Sequence, residues 1–427
     1  MQISELHTLF LSCQSIVIDT RKVQPNSMFV ALKGERFDAN TFANEALEKG
    51  ASFVIIDNAS YFIDERTILV NNCLETLQEL ATYHRKHLRI PIIALTGSNG
   101  KTTTKELIYS VLSKKYNVTA TVGNLNNHIG VPLTLLSFSD KTEMGIVEMG
   151  ANHQKEIAFL SEIAQPDFGY ITNFGKAHLE GFGGVEGVIK GKCELYDYIN
   201  KHNKKVFVNC DDAIQNEKTT ALNRITFSEI ETTAFSYIKS VKANPLVVVE
   251  FENVTVNSHL IGLYNANNIN AAIAMGLYFG VPTNEIKSAI ESYIPDNNRS
   301  QLLKKGSNEI ILDAYNANPS SMKVAFENFI QLENKNKIMI LGDMFELGDE
   351  SNEEHAKLIQ MMAPIQSVQC IFIGSFFYAN KIESDNLLFF KDFDVFSNYI
   401  KNNVPAEAFI LIKGSRGMSL ERTLDYI

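Results

Sequence analysis

The segment Ala94-Leu-Thr-Gly-Ser-Asn-Gly-Lys-Thr-Thr-Thr-Lys-Glu106 narrows the choice of folds more than any other part of this chain. An apolar run at residues 92–95 ends in a small-residue turn, and Gly100-Lys101-Thr102 opens a helical pattern through residue 112. A strand, a tight loop and a helix start in that order belong to an α/β sheet. Backbone N–H groups and the positive end of the helix dipole then face whatever anion the loop holds. Gly97, Ser98, Asn99, Gly100, Lys101, Thr102 and Thr103 are the candidate phosphate-loop residues. Lys101 suits the outer phosphates of ATP or a relative, and the Thr102 hydroxyl suits a bridging Mg²⁺. The common nucleoside-triphosphatase loop has glycine five residues before its Gly-Lys pair, where this chain has Leu95.

Around this segment strands and helices alternate. Strand-like runs at 118–121, 145–149, 170–172, 206–208 and 225–227 are separated by helical stretches at 155–163, 187–200 and 265–279. That rhythm predicts a mostly parallel sheet with helices on both faces, and its ligands gather at the carboxyl ends of the strands. Runs at 246–249 and 254–256 read instead as an antiparallel pair. Before this unit, strand-like runs at 16–21, 27–32 and 53–56 and helical ones at 42–47 and 74–88 describe a small α/β unit. After Pro295 a third alternating unit follows, with strands at 309–313, 337–341, 370–373, 387–390 and 409–412. The expectation is an α/β protein of three domains, 1–86, 87–294 and 295–427.

Size and composition agree. A chain of 427 residues has room for about three domains, and 45% apolar with 21% charged residues is ordinary for a protein with well-filled cores. A net charge of −10 argues against a nucleic-acid surface. Apolar runs are no longer than strands, so no membrane span is expected, and no signal peptide is visible. Five scattered cysteines without metal spacing suggest reduced thiols and a cytoplasmic protein.

Further candidates follow strand ends. Glu148 closes an apolar strand and could serve a Mg²⁺, or be a solvated carboxylate. His178 lies just past another strand, where a structural histidine is the commoner outcome. Lys190 and Lys192 read as surface lysines of one helix. Asp313-Ala-Tyr-Asn-Ala-Asn-Pro319 is either a ligand cluster or an Asn-rich turn with a helix cap. Lys413 and Arg416 suit a carboxylate or phosphate, or are free cations.

Together these segments resemble the Mur ligases of peptidoglycan synthesis, whose loop reads Gly-x-x-Gly-Lys-Thr and so accounts for Leu95. Asp19-Thr-Arg21 and Phe29-Val-Ala-Leu-Lys-Gly-Glu35 resemble the uridine-diphosphate-binding domain, which implies Thr20 and Arg21 as substrate contacts. Gly123-Asn-Leu-Asn-Asn-His128 resembles a substrate-facing loop and implies Asn126 and Asn127. The metal segments of the family imply Glu148 and His178 as Mg²⁺ ligands beside Thr102. Gly191-Lys-Cys-Glu194 aligns with the lysine that CO₂ carbamylates, which implies a carbamate on Lys192 holding a second Mg²⁺. Lys101, His178 and Lys192 are then the catalytic residues. Asn265, Asn268, Arg299 and Asp313 are implied for the nucleotide, and Tyr315, Asn316, Asn318, Ser415 and Arg416 for the peptides.

The Tyr-Asn-Ala-Asn-Pro run at 315–319 resembles the branch of the family that adds D-alanyl-D-alanine. The resemblance therefore implies an ATP-dependent amide ligase acting on UDP-N-acetylmuramoyl-tripeptide and D-alanyl-D-alanine through an acyl phosphate, as a cytoplasmic monomer. Tyr264 stands where histidine is common, and Cys193 where glycine is common. A folylpolyglutamate-type synthetase shares the architecture but begins at the ATPase domain. A nucleotide-gated switch protein would bind ATP without needing an amino acceptor.

Overall fold

In a computed structural model of the chain, residues 1–334 and 336–427 are described. Three α/β units follow one another. The first carries a parallel four-stranded sheet in the order Ser15–Val17, Ser27–Val30, Ala51–Ile56, Thr67–Leu69. The strand expected at 16–21 stops at Val17, because the Asp19 side chain accepts from Arg21 N at 2.9 Å and caps a single 3-10 turn, Thr20–Lys22. The helix Ile3–Leu11 and the strand Thr67–Leu69 were not anticipated.

The second unit is a nine-stranded sheet. Across it run Val254–Ile261, Leu246–Phe251, Ser236–Ala243, Asn223–Ser228, Lys205–Asn209, Phe168–Ile171, Ile92–Thr96, Met144–Glu148 and Val118–Ala120. The first three pair antiparallel and every other neighbour is parallel. Ile92–Thr96 and Met144–Glu148 are buried along their whole length, as parallel strands covered on both faces must be. From Ile92–Thr96 the chain first builds outward to Val118–Ala120, then resumes on the other side with Phe168–Ile171. That reversal opens a crevice at the carboxyl ends, where Leu95 is in register with both Tyr170 and Glu148.

The far ends of these strands are tied as well. Arg85, in the last turn of the helix Cys73–Leu88, donates from Nη2 to Asp167 Oδ2 at 2.7 Å. The same oxygen accepts from Ile92 N at 3.1 Å, so one carboxylate joins the starts of two neighbouring strands.

The third unit is a six-stranded sheet ordered Gln301–Lys305, Asn308–Asp313, Phe409–Lys413, Lys337–Gly342, Val368–Ile373, Leu387–Phe390. Only its first pair is antiparallel. One apolar cluster takes in Leu77 and Leu80 of the first unit, Val147 and Leu160 of the second, and Phe326 and Met339 of the third.

Candidate active site

A cleft of about 780 Å³ lies where the carboxyl ends of the second sheet face the third unit. Its floor is the phosphate loop. Gly97 and Gly100 have φ of +147° and +77°. A Cβ at Gly97 would stand 1.9 Å from Thr172 Oγ1, and one at Gly100 2.7 Å from Asn268 Oδ1, so no side chain fits at either position. The loop is held by the neighbouring strand end. Ser98 N donates to Asn173 O at 3.1 Å, and Ser98 Oγ to Gly175 O at 2.8 Å. Asn99 N donates to Asn173 Oδ1 at 3.1 Å, while Asn99 O accepts from Thr172 Oγ1 at 2.6 Å and Asn173 Nδ2 at 3.0 Å. Sequence reasoning missed Asn173. Its signal was its place one step past the strand-like run 170–172.

Lys101 begins the helix Lys101–Leu112, and its Nζ donates to Gly97 O at 2.7 Å. Burial lowers the pKa of this ammonium, the Glu148 charge opposes that, and Arg299 adds to it. Thr102 and Thr103 also line the cleft.

On one side stands Glu148, 1% exposed. Its Oε1 accepts from Asn126 Nδ2 at 2.8 Å, and its Oε2 is buried without a hydrogen-bond partner among the described residues. A buried carboxylate oxygen left in that state fits a cation. Among the described residues no three His, Cys, Asp or Glu gather as an all-protein cage. Mg²⁺ does not require one, since it commonly takes one or two carboxylates together with substrate phosphates. Asn127 lines the cleft, but its Oδ1 accepts from Ile129 N and Gly130 N and starts the helix Gly130–Leu136.

His178 lines the cleft with φ of +54°, and its Nδ1 pairs with Glu346 Oε2 of the third unit. That hydrogen bond lowers the pKa of Glu346 and leaves His178 Nε2 as the second ring nitrogen. Glu346 could not be found from local pattern, because its partner is 168 residues away.

Lys192 corrects the sequence expectation. It is 1% exposed, not a surface lysine, and sits behind Ala151 of the cleft wall. Its Nζ donates to Ala151 O at 3.4 Å and stands 4.9 Å from the Phe182 ring centre. Burial, helped by the Lys101 charge, pushes its pKa well below the usual lysine value.

The wall opposite belongs to the third unit and its approach. Asp313 Oδ2 accepts from Lys413 Nζ at 2.6 Å, and its Oδ1 from Ser300 N at 3.1 Å. Tyr264 OH and Ser300 Oγ share a hydrogen bond of 2.9 Å. The Arg299 guanidinium lies 3.7 Å over the Tyr315 ring, and both residues line the cleft. Asn265 and Asn268 line it too, but as a relay: Thr104 Oγ1 donates to Asn268 Oδ1, Asn268 Nδ2 to Asn265 Oδ1, and Asn265 Nδ2 to Ile261 O. Asn316 and Asn318 complete this wall.

Besides Lys192 behind its wall, Ser415, Arg416, Thr20 and Arg21 do not line the cleft. Ser415 is buried, with Oγ accepting from Phe345 N at 2.9 Å. Arg416 is exposed at the rim, pairs with Glu421 at 2.9 Å, and holds its guanidinium 5.8 Å from the ring centre of Tyr315, which lines the cleft. Thr20 and Arg21 lie in the first unit, where Arg21 is exposed and pairs with Asp19 at 2.7 Å.

A glycine-framed phosphate loop at a sheet's switch point, closed over by a separate α/β unit carrying an arginine and a lysine–aspartate pair, describes a nucleotide-dependent multidomain enzyme. Family models match three consecutive stretches: Mur ligase family, catalytic domain over residues 12–93, Mur ligase middle domain over 95–276, and Mur ligase, glutamate ligase domain over 298–416. The chain is 34% identical to the UDP-N-acetylmuramoyl-tripeptide–D-alanyl-D-alanine ligase of Bacillus subtilis (strain 168), over 95% of this chain and 91% of that one. MurF from Acinetobacter baumannii superposes with a TM-score of 0.86 at 30% identity, covering 99% and 97% of the two chains. MurF ligase from Thermotoga maritima in complex with ADP does so with a TM-score of 0.85 at 28% identity, covering 98% and 97%. The chain belongs to the Mur ligase family of ATP-dependent ligases.

Proposed function

We propose that this chain joins D-alanyl-D-alanine to UDP-N-acetylmuramoyl-tripeptide at the expense of ATP, making an amide bond in peptidoglycan precursor synthesis. The observation that carries this reading is the full-length likeness to ligases of that name, together with the Tyr315–Pro319 segment standing in the cleft wall. The terminal carboxylate of the tripeptide attacks the γ-phosphorus of ATP, a P–O bond forms, and ADP leaves. The amine of the dipeptide then attacks the acyl carbon, loses a proton, and expels phosphate.

Chemistry of this kind depends on placement and charge neutralisation. Lys101 and the N-terminus of its helix face the nucleotide phosphates, and Arg299, seated over the Tyr315 ring, adds charge from the opposite wall. Thr102 and Glu148 are the residues that fit one Mg²⁺, and His178 with Lys192 those proposed for a second. Bound there, Mg²⁺ would supply positive charge against the phosphate oxygens. Lys192 is proposed to carry a carbamate, formed when its uncharged amine attacks CO₂ and releases a proton. Burial that disfavours the ammonium supports this, because only the neutral amine reacts.

Thr20 and Arg21 are proposed for the uridine diphosphate, with Asn126, Asn127, Tyr315 and Asn316 facing the peptides. The domains are proposed as 1–86, 87–294 and 295–427, although the helix Cys73–Leu88 carries the first two residues past its boundary. None of the described helices is long and apolar enough to cross a membrane; a cytoplasmic monomer is proposed. The test is phosphate release from ATP with UDP-N-acetylmuramoyl-tripeptide, with and without D-alanyl-D-alanine. Release that depends on the dipeptide, with the pentapeptide product by mass, is expected. Release indifferent to it would sink the ligase reading and favour a switch protein.

A further inference from the structure

The third unit touches the phosphate loop itself through one side chain. Asn318 caps the helix Pro319–Gln331, its Oδ1 accepting from Ser321 N at 2.9 Å, while its Nδ2 donates to Asn99 Oδ1 at 2.7 Å. It is buried. Asn99 thus has its main chain tied to Thr172 and Asn173 of its own sheet and its side chain tied to another domain. Alongside, Ser320 Oγ accepts from Lys176 N at 2.7 Å. Gly175 makes room for this approach, since a Cβ there would stand 2.8 Å from Asn99 Nδ2 and 3.1 Å from Ser320 Oγ.

We propose that Asn318 is a positioning residue, acting through Asn99 rather than on the peptide substrates, that couples docking of the last domain to nucleotide held by the phosphate loop. The Asn99 side chain is held across the seam only while the last domain is docked, whereas its main chain stays tied to its own sheet. Linkage then requires the converse, that nucleotide holding the loop favours the docked domain by the same factor. The inference rests on the reading of Gly97–Thr103 as an ATP site, and its test uses binding alone.

Asn318→Ser keeps a good helix cap but is too short to reach Asn99. Asn99→Ala removes the partner, and Gly175→Ala wedges the seam. Calorimetry with ADP and a non-hydrolysable ATP analogue should show Asn318→Ser weakened roughly five- to tenfold, within the usual span of coupling between sites. Thermal midpoint should fall only slightly, as for one lost hydrogen bond, and affinity for the uridine nucleotide substrate should be unchanged, which separates positioning from a general loss of fold. The Asn99→Ala/Asn318→Ser double variant should bind no more weakly than the weaker single variant. In small-angle scattering, the analogue complexes of Asn318→Ser and Gly175→Ala should remain more extended than the wild-type complex. Wild-type affinity in Asn318→Ser, or single effects that multiply in the double variant, overturns the proposal. Wild-type protein that binds the analogue but forms no amide product defeats the ligase reading and leaves the coupling to these binding data. Wild-type protein that binds no analogue defeats both.

Discussion

Asp313 and Lys413 end adjacent parallel strands as register partners, and their side chains meet at 2.6 Å with Lys413 only 3% exposed. Asp313 also receives Ser300 N, so one carboxylate fixes the approach segment carrying Arg299 to the sheet of the last domain. Removing one partner of a buried pair leaves an uncompensated charge. Asp313→Ala should therefore destabilise the protein by about 3–5 kcal/mol in urea unfolding. A loss below about 1 kcal/mol would mean that water reaches Lys413 and the pair acts as a surface one.

Glu148→Gln keeps the acceptor that Asn126 Nδ2 uses and removes the charge. Its stability should hardly change, while the Mg²⁺ concentration for half-maximal activity should rise at least about tenfold, as expected from losing one charged ligand. An unchanged Mg²⁺ requirement would remove Glu148 from the metal reading.

For Lys192, ¹³C-labelled bicarbonate should give a carbamate resonance in the wild type that is missing from Lys192→Ala. Activity lost in that variant should return in part with short-chain carboxylic acids, which can replace the anion. Absence of both signal and rescue would leave Lys192 as a buried neutral lysine.

His7 supplies a pH test remote from the cleft. The Phe138 carbonyl can only accept, so His84 donates to it from Nε2 at 2.9 Å and accepts on Nδ1 from His7 Nε2 at 3.0 Å. Burial first, then His84 and His87, lowers the His7 pKa from 6.5 to about 4. Protonation is thus easier in the unfolded chain, so the stabilisation is complete above pH 6.5 and is lost as pH falls towards 4. The loss should reach up to about 3 kcal/mol for this shift. His7→Gln retains a donor for His84 and should flatten that acid limb in unfolding curves measured from pH 4 to 7. An unaltered slope would show that other groups set it.

What could be read in advance followed chain proximity. The phosphate loop was legible because its strand, glycines and helix start are contiguous; Glu148 and His178 could be placed at strand ends of the same sheet, while a metal role for them was implied by the family resemblance alone. Asn173 and Glu346 were not legible, since their roles exist only once another strand or another domain lies beside them. Ser415, expected at the peptides, instead holds a turn of its own domain. Lys192 is the instructive case. In the helix Val185–Lys201 the buried positions include Val188, Gly191, Leu195, Tyr196 and Ile199, and Lys192 falls on that stripe while Lys190 falls off it. Helical periodicity thus carried the signal of its burial, and reading the residue by its charge concealed it.

The clamp formed by Arg85 and Asp167 sets the pitch between two strands at the end away from the cleft. Ile92–Thr96 and Phe168–Ile171 are short, and the loop and Asn173 ride on their opposite tips. The two strands pair in register from Phe168–Ile93 to Ile171–Thr96, so a shift at the clamped ends is carried along the ladder to the tips. Substitutions that alter catalysis are therefore to be sought on the back of the molecule, around Arg85, as well as within the cleft.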